Sequence, residues 1–152
     1  MKQINLVRVA DDDLEAIERL VTESLSQGFS FVARLVNEYR NGGNCFNKNG
    51  EILLMAAIEG KAIAIAGLNQ DPYACNPSIG RLRHLYVESV WRRCGVGSLL
   101  VSQIIYQASK HYKMLTLRTD NPEADKFYRT LGFKTNPPIL HTTHYLELQR
   151  FT

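Results

Sequence analysis

A glycine-bearing turn constrains this chain more than any other feature of its sequence. Residues 92–98 read Arg-Arg-Cys-Gly-Val-Gly-Ser, between a strand-like run at 82–88 and a long amphipathic helical run at 96–112. A strand, a turn and a helix start leave several backbone N–H groups unpaired beside the positive end of the helix dipole. The two glycines allow a bulky group to approach the backbone, and the two arginines add positive charge. The turn therefore predicts a site for a phosphate-bearing ligand.

Size and composition predict one globular domain over residues 1–152, because 45% of the residues are hydrophobic and no repeat or linker interrupts the chain. A net charge of +3 is too small to indicate nucleic-acid binding. No apolar run is long enough for a membrane span, and residues 1–5 lack a signal-peptide pattern. Cys45, Cys75 and Cys94 form neither a disulfide framework nor a zinc pattern, so we expect no metal and a reducing, cytoplasmic location.

The order of predicted elements indicates an α/β protein with a mixed sheet covered by helices. Periodicity and turn residues predict strands at 4–9, 52–58, 62–68, 81–88, 114–118 and 144–148, and helices at 14–25, 31–39, 96–112 and 122–131. Residues 11–13 are all aspartate and supply N-cap candidates for the first helix.

Two common phosphate motifs do not fit the turn. The dinucleotide fingerprint needs a third glycine, but the residue three positions after Gly97 is Leu100. The P-loop needs Gly-Lys followed by Ser or Thr, and this tripeptide does not occur. The ligand is therefore neither a dinucleotide in a Rossmann site nor a nucleotide in a P-loop.

A second motif follows about two dozen residues after the turn. In a helix that starts near Pro122, the side chains of Asn121, Ala124 and Tyr128 share one face, which suits an extended ligand ending near a hydroxyl. The helix is followed by Leu-Gly-Phe at 131–133. Two simpler interpretations stay open: Asn121 is also a suitable N-cap, and Tyr128 is also suited to packing against the sheet.

Together these motifs resemble the GCN5-related N-acetyltransferase (GNAT) family, in motif detail over residues 80–133 and in element order over the whole chain. The resemblance implies a mostly antiparallel mixed sheet with splayed strands and helices on both faces. It also implies that acetyl-CoA is the cosubstrate and that a primary amine of a small molecule or peptide attacks it directly in a ternary complex. Tyr128 would be the general acid. The cofactor-binding residues implied are Leu85, Tyr86, Val87, Arg92, Arg93, Cys94, Gly95, Val96, Gly97, Ser98 and Asn121.

The general base remains unassigned. Relatives often carry Glu or His at the positions of Arg81 and Arg83, and arginine cannot serve as an ordinary base. Another position that some relatives use is Thr116. The remaining candidates are an ordered water or one of five side chains: His84, Glu88, Tyr73, His141 and His144.

The acceptor side is predicted less fully. If Arg81 and Arg83 face the acceptor, they favour a carboxylate-bearing amine; otherwise they pair with a nearby acid, Asp71, Glu59 or Glu88. The resemblance implies an acceptor wall that includes Phe29 and Tyr73, with Phe31 and Phe46 nearby.

Two other function classes remain as hypotheses: a non-catalytic acyl-CoA sensor domain, favoured by the missing base, and a basic interaction module, disfavoured by the low net charge. Dimerisation through the last strand or a sheet edge is common in the resembling family, so a homodimer is also an expectation.

Overall fold

The computed structural model describes residues 3–149, so the first two and last three residues of the predicted domain lie outside the described residues. Seven strands form one sheet: β1 (Asn5–Arg8), β2 (Ile52–Ile58), β3 (Lys61–Gln70), β4 (Ile79–Val87), β5 (Met114–Leu117), β6 (Lys134–Thr135) and β7 (His144–Glu147). Their spatial order is β1-β2-β3-β4-β5-β7-β6, and only the β4–β5 pair is parallel. The mixed, mostly antiparallel sheet is confirmed.

Helices cover both faces of this sheet, as expected. The four helices are α1 (Leu14–Ser26), α2 (Phe31–Arg40), α3 (Val96–Ser109) and α4 (Pro122–Thr130). Strands β2 and β3 are buried along nearly their whole length, and their alternating side chains feed two separate cores. One core packs α3 and α4 against the sheet, and the other packs α1 and α2 against the opposite face.

Strand β4 separates from β5 after only three residues of pairing. Ile79, Gly80 and Arg81 pair with 114–116, and no β5 residue pairs with the rest of β4. A β-bulge accompanies the separation: Gly67 is opposite Arg83 whereas Ile65 is opposite Tyr86, so β4 has one extra residue. The splayed strands are therefore confirmed, and a cleft opens between β4 and β5.

Several boundaries differ from the predictions for local reasons. Helix α1 ends at Ser26 rather than at 25, and Gly28, with a left-handed φ of 84°, lies in the connection that separates it from α2. The three aspartates form a short 3-10 turn, Asp11–Asp13, and Asp13 occupies the N-cap position of α1 without making a side-chain cap bond. Helix α3 ends at Ser109 rather than at 112, and β6, at two residues, is too short to have been predicted from periodicity.

Candidate functional site

The turn before α3 has the geometry of an anion-binding loop. Gly95 is the N-cap residue with a left-handed φ of 84°, and Arg93 also has a positive φ of 62°. Within the part of the chain that the structure describes, the N–H groups of 93–98 have no hydrogen-bond acceptor, since the first α3 bond runs from Leu99 N to Gly95 O. Several N–H donors at the positive end of a helix dipole can bind a negatively charged group.

Gly97 lies where the turn meets the cleft. A Cβ placed on it would lie 3.5 Å from the Phe127 ring and 3.7 Å from Val87 Cγ2, which are ordinary contacts. The fold itself therefore does not require glycine at this position. The missing side chain leaves the helix start open to another molecule.

The basic side chains of the turn do not converge on its N–H groups. Arg92 donates from Nε to the Val87 carbonyl at 2.9 Å and from a terminal nitrogen to Gln27 Oε1 at 2.8 Å, and its guanidinium covers the Tyr86 ring. Arg93 extends into solvent and approaches Glu123 at 3.8 Å. Cys94 is exposed. The positive field at the turn comes mainly from the backbone, with Arg92 beside it.

Tyr86 anchors the splayed part of β4 to α1. Its hydroxyl donates to Glu23 at 2.5 Å, and the same carboxylate oxygen accepts the N–H of Ser89 at 2.9 Å. Burial, followed by the neighbouring Glu23 carboxylate, raises the pKa of Tyr86 to about 12. No local pattern indicates Glu23, because its partners lie 63 and 66 positions away in the sequence.

Leu85 and Val87 take the opposite face of β4 from Tyr86. Both are partly buried against the core of α3 and α4, whereas Tyr86 belongs to the core of α1 and α2. The backbone between them borders the cleft, because β5 does not pair with it. The backbone of this part of the strand is therefore available to hydrogen-bond to an extended ligand that lies in the cleft and ends at the turn.

Tyr128 lies in α4 with its ring buried against the sheet. The ring contacts Phe127, Phe133 and His144, with centroids 5.1, 5.5 and 6.0 Å away. Burial raises the pKa of the Tyr128 phenol, so the hydroxyl stays protonated at neutral pH. No group among the described residues hydrogen-bonds to this hydroxyl, and the hydroxyl is not one of the fully solvent-excluded polar atoms, so another molecule can reach it. At the start of the helix, Asn121 Oδ1 accepts the N–H of Glu123 at 2.9 Å, so Asn121 caps α4.

Arg81 is part of a buried polar network. Its side chain is 7% exposed and its guanidinium lies 3.3 Å from Asp71, which is fully buried. The same guanidinium donates to the Thr142 hydroxyl at 2.9 Å and to the His141 carbonyl, and Thr116 donates to Asp71. Burial lowers the pKa of Arg81, and Asp71 opposes that effect. The pairing with Asp71 that the sequence left open as an alternative is the arrangement observed.

Arg83 has a different environment. It is half-buried on β4, and its guanidinium has no ion-pair or hydrogen-bond partner among residues 3–149. The neighbouring His84 has a positive φ of 61° at the bulge, and its buried Nε2 also lacks a partner in the described chain. Burial, with the charges of Arg83 and Arg34, lowers the pKa of His84 to about 3.

The two predicted wall residues lie on different elements. Phe29 is 42% exposed in the α1–α2 connection, with its ring 6.0 Å from that of Phe31. Tyr73 is 43% exposed in the β3–β4 loop, and its ring lies 4.8 Å from both Arg81 Cζ and the His141 ring. No contact joins Phe29 to Tyr73 in the described structure.

Most candidate bases already have strong partners. Glu88 accepts two hydrogen bonds from Arg19, at 2.6 and 2.7 Å. His144 Nε2 lies 2.7 Å from an Asp125 carboxylate oxygen. The rings of His141 and Tyr73 are in contact at an interplanar angle of 57°, and His84 is the imidazole with the lowered pKa described above.

Residues 3–149 hold no cluster of three or more His, Cys, Asp or Glu that could bind a metal ion. In the same range, none of the helices has both the length and the apolar character needed to cross a membrane.

Comparison with known proteins agrees with this geometry. The family model described as the acetyltransferase (GNAT) family matches residues 14–133. No curated protein matches the chain. A crystal structure of a protein from Exiguobacterium sp. 255-15, described as an acetyltransferase, is 29% identical with a TM-score of 0.83, and the match covers 95% of this chain and 93% of that one.

Two more distant structures contain ligands. The GNAT-family N-acetyltransferase YhbS from Escherichia coli, in complex with CoA, is 17% identical with a TM-score of 0.75 and matches 98% of this chain and 83% of its own. The yncA protein from Salmonella typhimurium, with its cofactor acetyl-CoA, is 13% identical with a TM-score of 0.72 and matches 97% and 95%. At these identities the likeness establishes the fold.

Proposed function

This chain belongs to the GNAT acetyltransferase family, and from that premise we propose that it is an acetyl-CoA-dependent N-acetyltransferase. The acceptor is the primary amine of a small molecule or peptide. The observation that carries the proposal is the cleft between β4 and β5, which leads to a helix N-terminus with unpaired N–H groups. An extended thioester with a pyrophosphate at one end matches that shape and polarity.

The donor is proposed to lie along the splayed part of β4. The pantetheine arm follows the backbone of Leu85, Tyr86 and Val87, and the pyrophosphate binds the N–H groups of residues 93–98. Arg92 holds the end of β4 through the Val87 carbonyl and adds positive charge nearby. Asn121 caps α4, and we propose that the start of this helix also contacts the donor.

Tyr128 is proposed to be the general acid. The neutral amine attacks the thioester carbon, a C–N bond forms and the C–S bond breaks as the tetrahedral intermediate collapses. The amine gives up its proton to water, the departing thiolate takes a proton from the Tyr128 hydroxyl, and the resulting phenolate regains a proton from water. Two features support this role: the phenol is protonated at neutral pH, and the hydroxyl has no competing hydrogen-bond partner among the described residues. The N–H of Leu85 would stabilise the oxyanion.

The acceptor is proposed to carry a carboxylate, with Arg83 as its anchor. Arg81, the second predicted anchor, already has Asp71 as its counter-charge, whereas Arg83 has none in the described chain. A half-buried guanidinium without a counter-ion favours an anionic group on the ligand.

The proposal is tested by thiol release from acetyl-CoA with a panel of primary amines. We expect turnover in the wild type and a loss of about 100-fold or more in kcat for Tyr128→Phe, with unchanged acetyl-CoA affinity. Tyr112→Phe is the matched control, because Tyr112 is also a buried tyrosine but its hydroxyl binds the Gly50 carbonyl at 3.0 Å. Acetyl-CoA binding without turnover on any amine would instead indicate the sensor function.

We also propose a single domain over residues 1–152, a cytoplasmic location and a homodimer. Free cysteines suit a reducing compartment. For the dimer, β6 pairs only with His144 and Tyr145, so the outer edge of β7 is left open at Leu146 and Glu147 for a second copy. Light scattering after size exclusion would measure the oligomeric state.

A further inference from the structure

The bulge in β4 places two consecutive residues on the same face of the sheet. Leu82 is buried in the core of α3 and α4, and Leu85 packs against that same core. In a regular strand, residues three apart lie on opposite faces. Here the bulge puts them on one face, because the single β3 residue between Ile65 and Gly67 corresponds to two β4 residues, His84 and Leu85. Arg83 and His84 therefore both occupy the face covered by α1 and α2.

His84 packs against the start of α2, between two aromatic side chains. Its ring stacks on Phe31 with a centroid distance of 6.3 Å and an interplanar angle of 22°, and it meets the Phe46 ring edge-on at 6.4 Å. Its Nε2 is the one buried side-chain nitrogen or oxygen without a partner in residues 3–149, and its φ is 61°. Strained backbone together with an unsatisfied polar atom is costly, and such residues cluster at ligand sites.

Two unpaired cations lie beside this imidazole. Arg83 is its neighbour on the bulge, and Arg34 is one helical turn after Phe31, so it projects from the same side of α2. The positive charges of both arginines help to lower the pKa of His84, so both lie close enough to interact with it electrostatically. Neither guanidinium makes an ion pair or a hydrogen bond within the described residues. Arg34 is exposed and Arg83 is half-buried, whereas Nε2 of His84 is shielded from solvent. An anion between the two arginines would pair with both guanidinium groups and accept a hydrogen bond from Nε2.

We propose that Arg83, His84 and Arg34 form an anion subsite that binds the carboxylate of the amine acceptor. The two guanidinium groups pair with the carboxylate, and Nε2–H of the neutral imidazole donates to one of its oxygens. The partly exposed ring of Phe31 favours an organic acid, whose carbon skeleton can pack on it, over a free inorganic anion, whereas Phe46 is buried and only supports His84 from below. The identification of the bound anion as part of the acceptor rests on the proposed function, whereas the binding of a carboxylate at this subsite does not.

The subsite is tested without acetyl-CoA, by NMR of protein labelled with 15N-histidine. The spectrum of His84→Asn assigns the His84 signal among the four histidines. Sodium acetate is titrated against sodium chloride at constant ionic strength. We expect a saturable change in the His84 signal toward the Nε2–H tautomer, which is abolished in the Arg34→Gln, Arg83→Gln double variant.

Arg40→Gln is the matched control, because Arg40 also lies on α2 but is paired with Glu18 at 2.6 Å. This variant keeps the wild-type response. An unchanged His84 signal in the wild type, an equal response in the double variant, or saturation by inorganic phosphate in place of acetate would each overturn the carboxylate subsite.

A kinetic experiment tests the link to the acceptor. Phenylalanine and 2-phenylethylamine differ only in the carboxylate, and the same comparison applies to other amino acids and their decarboxylated amines. Arg83→Gln and Arg34→Gln are each expected to raise the acceptor KM by about 10- to 100-fold for the carboxylate member and to leave the amine member unchanged. Equal effects on both members, or a wild-type preference for the amine, would contradict the proposal. If the wild type acetylates no amine, the proposed function fails. The acetate titration still shows whether the subsite binds a carboxylate.

Discussion

Replacing Asp71 with asparagine tests whether Arg81 is a structural residue. Asp71 is fully buried and lies 3.3 Å from the Arg81 guanidinium, and it also accepts the Thr116 hydroxyl and the N–H groups of Tyr73 and Ala74 at 2.7 and 3.1 Å. Asparagine keeps the shape and can keep the two backbone hydrogen bonds. Its NH₂ group, however, has no charge and competes as a donor with the guanidinium and the hydroxyl.

The expected loss in unfolding free energy is about 3 kcal/mol. Removing one partner of a buried ion pair costs roughly 3–5 kcal/mol, because the other charge is left buried without compensation. The lower end applies here, since the Thr142 hydroxyl and the His141 carbonyl still accept from Arg81. For a domain of this size, about 3 kcal/mol lowers Tm by roughly 6–12 °C. Urea unfolding followed by circular dichroism measures the change.

Two further variants serve as controls for the Asp71→Asn measurement. Asp120→Asn removes an acid from an exposed pair, 3.7 Å from Arg118, and should change stability by less than about 1 kcal/mol. Combining Asp71→Asn with Arg81→Met removes both charges and should recover part of the loss. A loss below about 1 kcal/mol for Asp71→Asn alone would mean that Arg81 is not held by a buried ion pair, and that its guanidinium is hydrated and free to bind a ligand.

Three shorter predictions follow from other parts of the site. Tyr128→Phe should not lower Tm, because its hydroxyl has no partner among the described residues; a drop of several degrees in a thermal scan would reveal a missed structural bond. Gly95→Ala should lose about 1 kcal/mol in urea unfolding and bind acetyl-CoA more weakly by calorimetry, because φ is 84° there; wild-type values would mean that the turn relaxes freely. The unfolding free energy should fall as pH drops from 6.5 toward 3, because the pKa of His84 is about 3 when folded and near its ordinary value of 6.5 when unfolded, so the unfolded chain binds more protons. His84→Asn should reduce that slope, and an equal slope in both proteins would count against the neutral imidazole.

The local features of the fold could be predicted from the sequence. The glycines at 95 and 97 mark a strand-to-helix turn because only a few backbone conformations make one, and the structure has that turn at the predicted place. Pro122 after Asn121 likewise marks the start of α4, where the cap bond is found.

The long-range features could not be predicted in the same way. The bulge that brings Arg83 and His84 to one face depends on the register between β3 and β4, which no local pattern encodes. The partner of Arg81 was one of several nearby acids, and its selection depends on how the β3–β4 loop folds back over β5. No local pattern indicates Arg34, because it reaches the site only through the packing of α2 on β4.

A crystal structure with bound acetyl-CoA would show whether the β4–β5 cleft holds the donor. We expect the pyrophosphate on the N–H groups of residues 93–98 and the pantetheine arm along 85–87. The thioester sulfur should lie within hydrogen-bond reach of the Tyr128 hydroxyl. Acetyl-CoA bound outside the β4–β5 cleft, or with its sulfur remote from Tyr128, would contradict the account.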